Sequence, residues 1–233
     1  LPVLRDSLAR SPDPDRGLLA YRRVSEALAD TPWDLRLLRD EGAVAQRLMT
    51  LLGTSALVPD LLARAPEVLR MLATSSGVQS PELTRDPAEV SMALRTTVAR
   101  QSTPEAAVAS ARSYRRHEML RIACADLLGL LPVDAVCTAL NSVNEAVLAA
   151  TLDAVLRAES ERPAVLSVIG MGRLGGGESS YGSDADVMFV CRPAEGVDDH
   201  TAVRWATRVV ERVRRLLGSP SPDPALPVDA DLR

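Results

Sequence analysis

The stretch that decides the fold runs from Ala164 to Cys191 and reads AVLSVIGMGRLGGGESSYGSDADVMFVC. It begins with a short β-branched run, residues 164–169, which is bounded by proline and glycine and is typical of a buried strand. A glycine-rich segment follows over residues 170–182, and a second apolar run covers residues 185–191. The pattern predicts two strands joined by a glycine-rich loop.

Two aspartates, Asp184 and Asp186, stand at the start of the second predicted strand. Because successive side chains of a strand point to opposite faces, these carboxylates share one face, and Ala185 and Val187 point toward a core. Two carboxylates this close repel unless a cation neutralises them, and Mg²⁺ favours oxygen ligands completed by substrate phosphates. The pair therefore predicts a Mg²⁺ site. Asp-x-Asp alone is common, so an exposed strand edge that happens to carry two acids is the alternative.

The glycine-rich loop supports the metal interpretation. Without a Cβ at Gly172 or Gly175, backbone amides can approach phosphate oxygens closely. An apolar strand is also a poor place for two charges without a purpose. We therefore expect the loop to bind phosphates beside the paired carboxylates.

A third acidic element, Val228-Asp229-Ala230-Asp231, begins a third predicted strand at residues 228–232. Asp229 and Asp231 again share one face of an extended run. One of them could complete a three-carboxylate cluster with the first pair if the two strands are neighbours. For either residue alone, a solvated strand acid is the alternative.

The loop also matches GxGxxG, the dinucleotide fingerprint, at Gly170, Gly172 and Gly175. That fingerprint requires a helix to open at the third glycine, so that the helix N-terminus meets the pyrophosphate. Here two further glycines and then Glu-Ser-Ser-Tyr-Gly follow, which cannot propagate a helix. The acidic pair also comes too early for a ribose ligand about 20 residues on. We reject the dinucleotide interpretation.

Upstream of the strands, apolar residues at helical spacing alternate with prolines and glycines that begin or end helices. Predicted helices cover residues 15–29, 33–51, 59–72, 88–100, 106–111, 114–131 and 142–158; a further one restarts at Pro132-Val133-Asp134, and Asp199 is expected to cap a later one. Arg112, Arg115, Arg116 and Arg121 lie off the apolar stripe of residues 114–131. Aromatic residues make up only 3% of the chain, which leaves a core of Leu, Val and Ala that favours helices. The fold class is α+β, with a helical region at residues 1–160 and a second domain at 161–233.

The composition of the chain limits which binding partners and which cellular compartment we expect. A formal net charge of −4 gives no field that attracts nucleic acid, so we expect no nucleic-acid partner. No apolar run approaches the ~18–20 residues that span a bilayer, so we expect no membrane partner. Cys124, Cys137 and Cys191 lack the close spacing of a zinc site. We expect buried thiols in a reducing cytoplasm.

These residues resemble the glutamine synthetase adenylyltransferase/adenylyl-removing enzyme family. Residues 168–178 (VIGMGRLGGGE) and 181–189 (YGSDADVMF) are similar to its signature, and residues 228–233 (VDADLR) are similar to the later motif of the same domain. Helical segments at residues 52–55, 60–67, 115–123 and 126–129 also resemble the family. The resemblance is weakest before about residue 40. It implies that residues 161–233 are part of a DNA polymerase β-like nucleotidyltransferase domain, truncated at its C-terminus.

The resemblance also implies a role for each matching residue. Asp184 and Asp186 would bind Mg²⁺, and Asp229 would be the third carboxylate; Asp231 ranks below it because other members often carry Arg there. The residues implied to contact the nucleotide are Gly172, Gly175, Gly182, Ser183, Arg173 and Arg233. The two arginines would stabilise charge on the transferred phosphoryl group, with ordinary surface arginines as the alternative. Ser179-Ser180 departs from the family pattern, so the loop is expected to be slightly altered.

Family members carry two such units, one that adenylylates glutamine synthetase and one that removes the group. The Tyr-Gly-Ser-Asp form at residues 181–184 looks more like the adenylylating, C-terminal unit, and the arginine-rich usage suits an actinobacterial source. The implied reaction is attack by a tyrosine hydroxyl of glutamine synthetase on the α-phosphorus of ATP. A nitrogen-signalling PII protein is the implied regulatory partner.

Two alternatives stay open. One is the adenylyl-removing unit, in which phosphate attacks adenylyl-tyrosine and ADP leaves. The other is a non-catalytic helical docking module with an incomplete active site. Because the sequence stops within a predicted strand, we expect little or no activity from residues 1–233 alone.

Overall fold

Helices make up most of the chain, and a small sheet lies in its C-terminal part. The computed structural model describes residues 6, 8–28, 32–75, 78–79 and 81–230. The α-helices in this described part are α1 Pro14–Ala27, α2 Pro32–Asp40, α3 Gly42–Thr54, α4 Leu57–Leu62, α5 Pro87–Ala99, α6 Pro104–Leu127, α7 Val133–Arg157, α8 Gly172–Gly176 and α9 Asp199–Gly218. Short 3₁₀ segments cover Pro66–Leu72 and Pro81–Thr84, and the strands are β1 Thr74–Ser75, β2 Val78–Gln79, β3 Ala164–Gly170, β4 Ala185–Pro193 and β5 Val228–Asp229. The predicted mixed α+β class is confirmed.

The chain forms two compact units. The N-terminal unit contains Leu1–Arg85 and Arg116–Val133, and the sheet unit contains Asp86–Arg115 and Asp134–Arg233. Helix α6 therefore contributes its first half to the sheet unit and its second half to the N-terminal unit. The division between these compact units does not fall at residue 160. The expected helical region at residues 1–160 and second domain at residues 161–233 stay a prediction.

In the N-terminal unit, α1 and α3 cross closely at two glycines. A Cβ added to Gly17 would lie 2.8 Å from Leu8 Cδ2 and 3.0 Å from Gly53 Cα, so a larger residue would force the helices apart. The apolar core around this crossing consists of buried aliphatic side chains, including Val24, Val44, Leu48, Leu51, Leu52, Leu61 and Leu62. The crossing depends on glycine because the two backbones touch.

Two predicted helices of this unit are broken in the structure. The helix expected at residues 33–51 is interrupted by Glu41, which has extended dihedrals (φ −113°, ψ 90°) just before Gly42, a weak helix former. The helix expected at residues 59–72 ends at Leu62, and a 3₁₀ segment begins at Pro66. Proline disfavours helical dihedrals at the residue before it and donates no N–H, so the α-helix cannot continue through this point.

Helices α6 and α7 each run through a break that the sequence predicted, because polar residues that interrupt their apolar stripes are buried rather than excluded. The expected break between residues 111 and 114 is absent, and α6 runs without interruption from Pro104 to Leu127. Arg112, Arg115 and Arg121 are only 3%, 3% and 1% exposed. Sequence periodicity missed this continuity because it counts only apolar side chains toward a buried face.

The sheet has the order β3-β4-β5, with β3 antiparallel to β4 and β4 parallel to β5. One face is covered: Ala185 and Val187 of β4 are 0% and 2% exposed. The other face leaves apolar side chains open, with Val165 at 55% and Ile169 at 44% exposure. Helix α9 packs against all three strands, and it is capped by Asp198, one residue before the predicted cap, which accepts a hydrogen bond from Thr201 N at 2.9 Å.

The expectation that no segment has the length and composition of a membrane span is wrong for helix α7. Among the described residues it is the one helix that passes such a test, and 67% of its most apolar stretch is buried inside the structure. A core helix of a folded unit shows the same pattern. The expected absence of a membrane partner stays a prediction.

The three cysteines are free, as the sequence predicts, but only Cys124 is fully buried; Cys137 and Cys191 are partly exposed. Burial raises the pKa of the Cys124 thiol to about 12. This thiol therefore stays neutral at physiological pH, as expected of a packing residue.

A charged cluster lies inside the N-terminal unit. Glu118 is 0% exposed and accepts a hydrogen bond from Arg121 Nε at 2.6 Å, and Arg121 Nη1 donates to the carbonyl of Leu83 at 2.6 Å. Arg85 and His117 each lie 3.6 Å from the same carboxylate. Burial alone would raise the pKa of Glu118, but the nearby His117 and the charge and hydrogen bond of Arg121 outweigh it and hold the pKa below its ordinary 4.5.

We predict that Glu118→Gln lowers the free energy of unfolding by about 3–5 kcal/mol, because it leaves the Arg121 guanidinium buried without its carboxylate. Urea unfolding measures the change. The native pKa of Glu118 is depressed, so its stabilisation is present above pH 4.5 and is lost as pH falls through the native pKa. The difference between wild type and variant should therefore shrink as pH falls from about 5 to about 2.

The matched control is Glu26→Gln, which removes an exposed i,i+4 pair with Arg22 in the same unit. We expect it to change stability by less than about 0.5 kcal/mol. A Glu118→Gln difference that stays constant over the whole pH range would contradict the predicted ionic stabilisation.

Candidate active site

The candidate carboxylates lie on one face of the sheet. Asp186 of β4 pairs in parallel register with Asp229 of β5, so their side chains leave the sheet on the same side, with backbones about 4.8 Å apart. Asp184 precedes Asp186 by two residues and is exposed, while the intervening Ala185 is buried. The adjacency of the two strands, which the sequence left open, is present in the structure.

The three carboxylates are not gathered into a closed ligand set. Throughout the part of the chain that the structure describes, no three or more His, Cys, Asp or Glu side chains form a group that could hold a metal ion. Mg²⁺, however, is usually held by one or two carboxylates and completed by substrate phosphates and water. Oxygen donors on an open face fit such an ion, and the assignment of Asp184, Asp186 and Asp229 as its ligands stays a prediction.

The turn after β3 is built against Asp186. Met171 N donates to the backbone carbonyl of Asp186 at 2.8 Å. Gly172 has φ +49°, and a Cβ at this position would overlap Oδ2 of Asp186 and lie 3.2 Å from its carboxyl carbon. Only a residue without a side chain leaves the carboxylate where it is, so Gly172 creates the space that Asp186 occupies.

The remaining glycines of the loop also have packing roles. Gly175 N donates to Met171 O at 2.7 Å, and a Cβ on Gly175 would collide with the carbonyl oxygen of Gly170. Gly177 takes a left-handed conformation with φ +73°, and Glu178 N donates to Arg173 O at 2.8 Å, as in a Schellman helix end. The predicted binding of nucleotide by Gly172 and Gly175 stays open beside these roles.

The expectation of a loop without a helix is wrong in one respect, because the five-residue helix α8 forms at Gly172–Gly176. It opens at the second glycine of the fingerprint and ends before Gly177. The strands on either side of it, β3 and β4, are antiparallel, whereas a dinucleotide site needs a parallel βαβ unit. The strand pairing therefore gives an independent reason to reject the dinucleotide interpretation.

The turn before β4 is closed by serines. Ser183 is 7% exposed, and its Oγ accepts a hydrogen bond from Ser180 N at 2.9 Å and shares one with Ser180 Oγ at 3.0 Å. Gly182 beside it is exposed. The hydroxyl of Ser183 thus holds the turn, and its predicted contact with a phosphate must be made from that position.

The departure from the family pattern at Ser179 has a structural explanation. Ser179 is 0% exposed and donates its hydroxyl hydrogen to Asn141 Oδ1 at 2.7 Å. Asn141 Nδ2 donates in turn to Glu145 Oε1 at 2.8 Å. This chain of hydrogen bonds anchors the loop on α7, and sequence reasoning missed it. The available signal was a pair of polar residues four apart in the helix, Asn141 and Glu145.

The structure says little about the two arginines that were predicted to contact the nucleotide. Arg173 is exposed on α8. Arg233 and the lower-ranked Asp231 lie outside the described residues. The structure therefore puts Asp186 in register with Asp229 and Gly172 against Asp186, and it leaves the phosphate contacts of the arginines as predictions.

The fold and site define a mixed α+β protein with an acidic site on the open face of its sheet, beside a glycine turn. The chain belongs to the glutamate-ammonia ligase adenylyltransferase family, whose family model matches residues 45–233. This confirms the family resemblance found in the sequence.

Curated relatives from actinobacteria match along the whole chain. The sequence is 59% identical over 239 residues to the bifunctional glutamine synthetase adenylyltransferase/adenylyl-removing enzyme of Nocardia farcinica. It is 57% identical over 238 residues to the enzyme of that name in Mycobacterium tuberculosis, and 56% identical over 237 residues to that of Mycolicibacterium smegmatis. Each alignment covers 100% of this chain and 24% of the relative. The chain thus spans about a quarter of the length of these relatives.

The contact between Gly172 and Asp186 predicts a difference between two glycine variants. Gly172→Ala and Gly177→Ala both place alanine in the left-handed region, which costs roughly 1–2 kcal/mol. A Cβ at Gly177 meets nothing within 4 Å, whereas a Cβ at Gly172 meets the Asp186 carboxylate. We expect urea unfolding to give similar losses for both variants, because a terminal carboxylate can rotate away.

Crystal structures of the two variants separate the backbone strain from the contact with the Asp186 carboxylate. Only Gly172→Ala should move the Asp186 carboxylate to another rotamer, and Gly177→Ala should leave it in place. An unmoved carboxylate in Gly172→Ala would show that this contact does not constrain the site.

Proposed function

We propose that this chain carries the nucleotidyl-transfer centre of an adenylyltransferase that moves AMP from ATP to a tyrosine hydroxyl of glutamine synthetase. The observation that carries the proposal is the parallel register of Asp186 with Asp229, two of the predicted carboxylates, with Gly172 in contact with Asp186. Membership of the family and the names of the relatives support it. The proposed fold of residues 161–233 is part of a DNA polymerase β-like nucleotidyltransferase domain.

In this proposal Asp184, Asp186 and Asp229 supply oxygen ligands to Mg²⁺. Bound there with the phosphates of ATP, the ion would neutralise phosphate charge and stabilise the attacking and leaving oxygens. The carboxylates point away from the covered face of the sheet, so substrates approach from the open side. Because each aspartate supplies hard oxygen donors and the set is open, the substrate phosphates complete the ligands.

The acceptor must lose a proton as it attacks. A tyrosine hydroxyl has an ordinary pKa of about 10, so it needs a base at neutral pH. Asp229 lies exposed on β5 and is the proposed group that helps to take this proton. The new bond forms between the phenolic oxygen and the α-phosphorus, and the bond to pyrophosphate breaks.

The glycine turn and the serine turn are the proposed phosphate contacts, with Arg173 and Arg233 balancing charge on the transferred group. Ser183 can serve without opening its turn. Its Oγ accepts from Ser180 N, and when Ser180 Oγ is the donor of their shared bond, the proton of Ser183 is available to a phosphate oxygen. By the same family resemblance, the proposed compartment is the cytoplasm and the proposed regulatory partner is a PII protein.

We predict that Asp184→Asn and Asp186→Asn, made in the protein expressed from its complete gene, each lower AMP transfer more than about 100-fold. A loss of this size exceeds the roughly 10–100-fold loss of activity expected from removing a group that only orients a metal ligand. Stability should change by less than about 0.5 kcal/mol, because the loss is in metal binding and not in folding. Incorporation of labelled AMP and urea unfolding measure the two quantities.

The matched control is Asp134→Asn, which neutralises an exposed aspartate in the first turn of α7. Transfer by this variant should equal that of the wild type. Near-normal transfer by either Asp184→Asn or Asp186→Asn would contradict the assignment of these two residues as Mg²⁺ ligands.

The direction of the reaction is tested with the double variant Asp184→Asn/Asp186→Asn of the same protein. One assay follows incorporation of label from ATP, and the other follows phosphate-dependent release of ADP from adenylylated glutamine synthetase. We expect loss of incorporation and retention of release. The opposite pattern would assign this unit to adenylyl removal, and retention of both activities would make it a non-catalytic module.

A further inference from the structure

Two buried arginines of α6 hold the segment that leads to Asp229. Arg112 is 3% exposed, and it donates from Nη1 to the carbonyl of Ser219 and from Nη2 to that of Asp223, each at 2.6 Å. Arg115 is also 3% exposed and donates from Nη1 to the carbonyl of Ala225 at 3.3 Å. Three carbonyls of one short segment therefore accept hydrogen bonds from two guanidinium groups.

The composition of residues 219–227 explains why it needs such donors. The segment contains Pro220, Pro222, Pro224 and Pro227, and proline has no backbone N–H to donate. Three of its carbonyls, in partly buried bonds, accept from arginine side chains instead. Arginine presents five N–H donors in a rigid fork, so one side chain can reach two carbonyls at once.

The segment in turn decides where Asp229 lies. Leu226 N donates to Leu217 O at 3.2 Å, and Pro227 O accepts from Ala185 N at 2.8 Å, immediately before β5. Within the described residues, β5 and β4 are in register at two positions, Ala185 with Val228 and Asp186 with Asp229. Besides this pairing, Arg214 Nε donates to the carbonyl of Val228 at 3.1 Å, and the segment before β5 contributes to the position of Asp229 opposite Asp186.

The burial of these arginines has an energetic cost that packing alone does not explain. Burial lowers the pKa of Arg112, and it lowers that of Arg115 to about 10, so both stay protonated at neutral pH. The Nε of Arg112 is buried without a partner among the described residues, while Nε of Arg115 donates to Asn144 Oδ1 at 2.7 Å. Apolar side chains of similar volume would fill the space at lower cost. What only arginine supplies is several directed donors.

We propose that Arg112 and Arg115 are positioning residues of the transfer site, which hold residues 219–225 so that Asp229 stands opposite Asp186. The proposal rests on the proposed function. Neither side chain needs to touch a substrate. Their effect reaches the chemistry through the backbone between Ser219 and Asp229.

The test uses Arg112→Lys and Arg115→Lys in the protein expressed from its complete gene. Lysine keeps the charge but replaces the planar fork by a single ammonium group, so the two-carbonyl contact of Arg112 is lost. We expect kcat for AMP transfer to fall about 10–100-fold and the Mg²⁺ concentration for half-maximal rate to rise. KM for ATP should change less than about threefold, because the proposed phosphate contacts lie on the separate glycine and serine turns.

The matched control is Arg121→Lys, in the same helix and equally buried but within the N-terminal unit. It should lower the melting temperature without changing kcat by more than about twofold. Hydrogen–deuterium exchange of residues 224–230 gives a readout that is independent of activity. Exchange there should rise in Arg112→Lys and Arg115→Lys and stay unchanged in Arg121→Lys.

If Arg115→Lys does not fold, Asn144→Ala removes the side-chain acceptor that orients Arg115 and should lower kcat in the same direction. Unchanged kcat and Mg²⁺ dependence in the arginine variants, beside an active wild type, would overturn the positioning role. Unchanged exchange of residues 224–230 would overturn the proposed hold on the segment. A wild-type protein that transfers no AMP would instead overturn the proposed function itself.

Discussion

The candidate site depends on the parallel pairing of β5 with β4. Within the described residues this pairing covers two positions, and it puts Asp229 beside Asp186. Side chains in register on neighbouring strands leave the sheet on the same side, so the pairing turns two distant acidic motifs into one acidic face.

Buried polar side chains, rather than further strands, hold the parts around this pairing. On one side, Arg112 and Arg115 bind the carbonyls of a proline-rich segment that cannot pair its own backbone. On the other, Asn141 accepts the hydroxyl hydrogen of Ser179 and fixes the loop before β4. Each group costs free energy to bury unless it is hydrogen-bonded. Their directed bonds therefore tie the loops that carry the site to helices α6 and α7.

The glycine turn shows how packing and chemistry use the same residues. Gly172 leaves room for the Asp186 carboxylate, and Gly175 allows the chain to pass the carbonyl of Gly170. A glycine-rich sequence is therefore explained in part by close contacts within the loop. Binding of phosphates by the same backbone is compatible with these contacts, because glycine leaves amides accessible where a side chain would cover them.

The two long strands, the paired aspartates at the start of β4 and the family could be predicted from the sequence, because these follow from alternation and from local motifs. The sequence did not determine that α6 continues through Arg112 and Arg115, because periodicity treats a charged side chain as excluded from the core. Only the tertiary structure decided which strands are neighbours and which polar groups are buried. Both depend on contacts between residues far apart in the chain, such as Arg112 with Ser219 and Asp186 with Asp229, and no local pattern encodes such contacts.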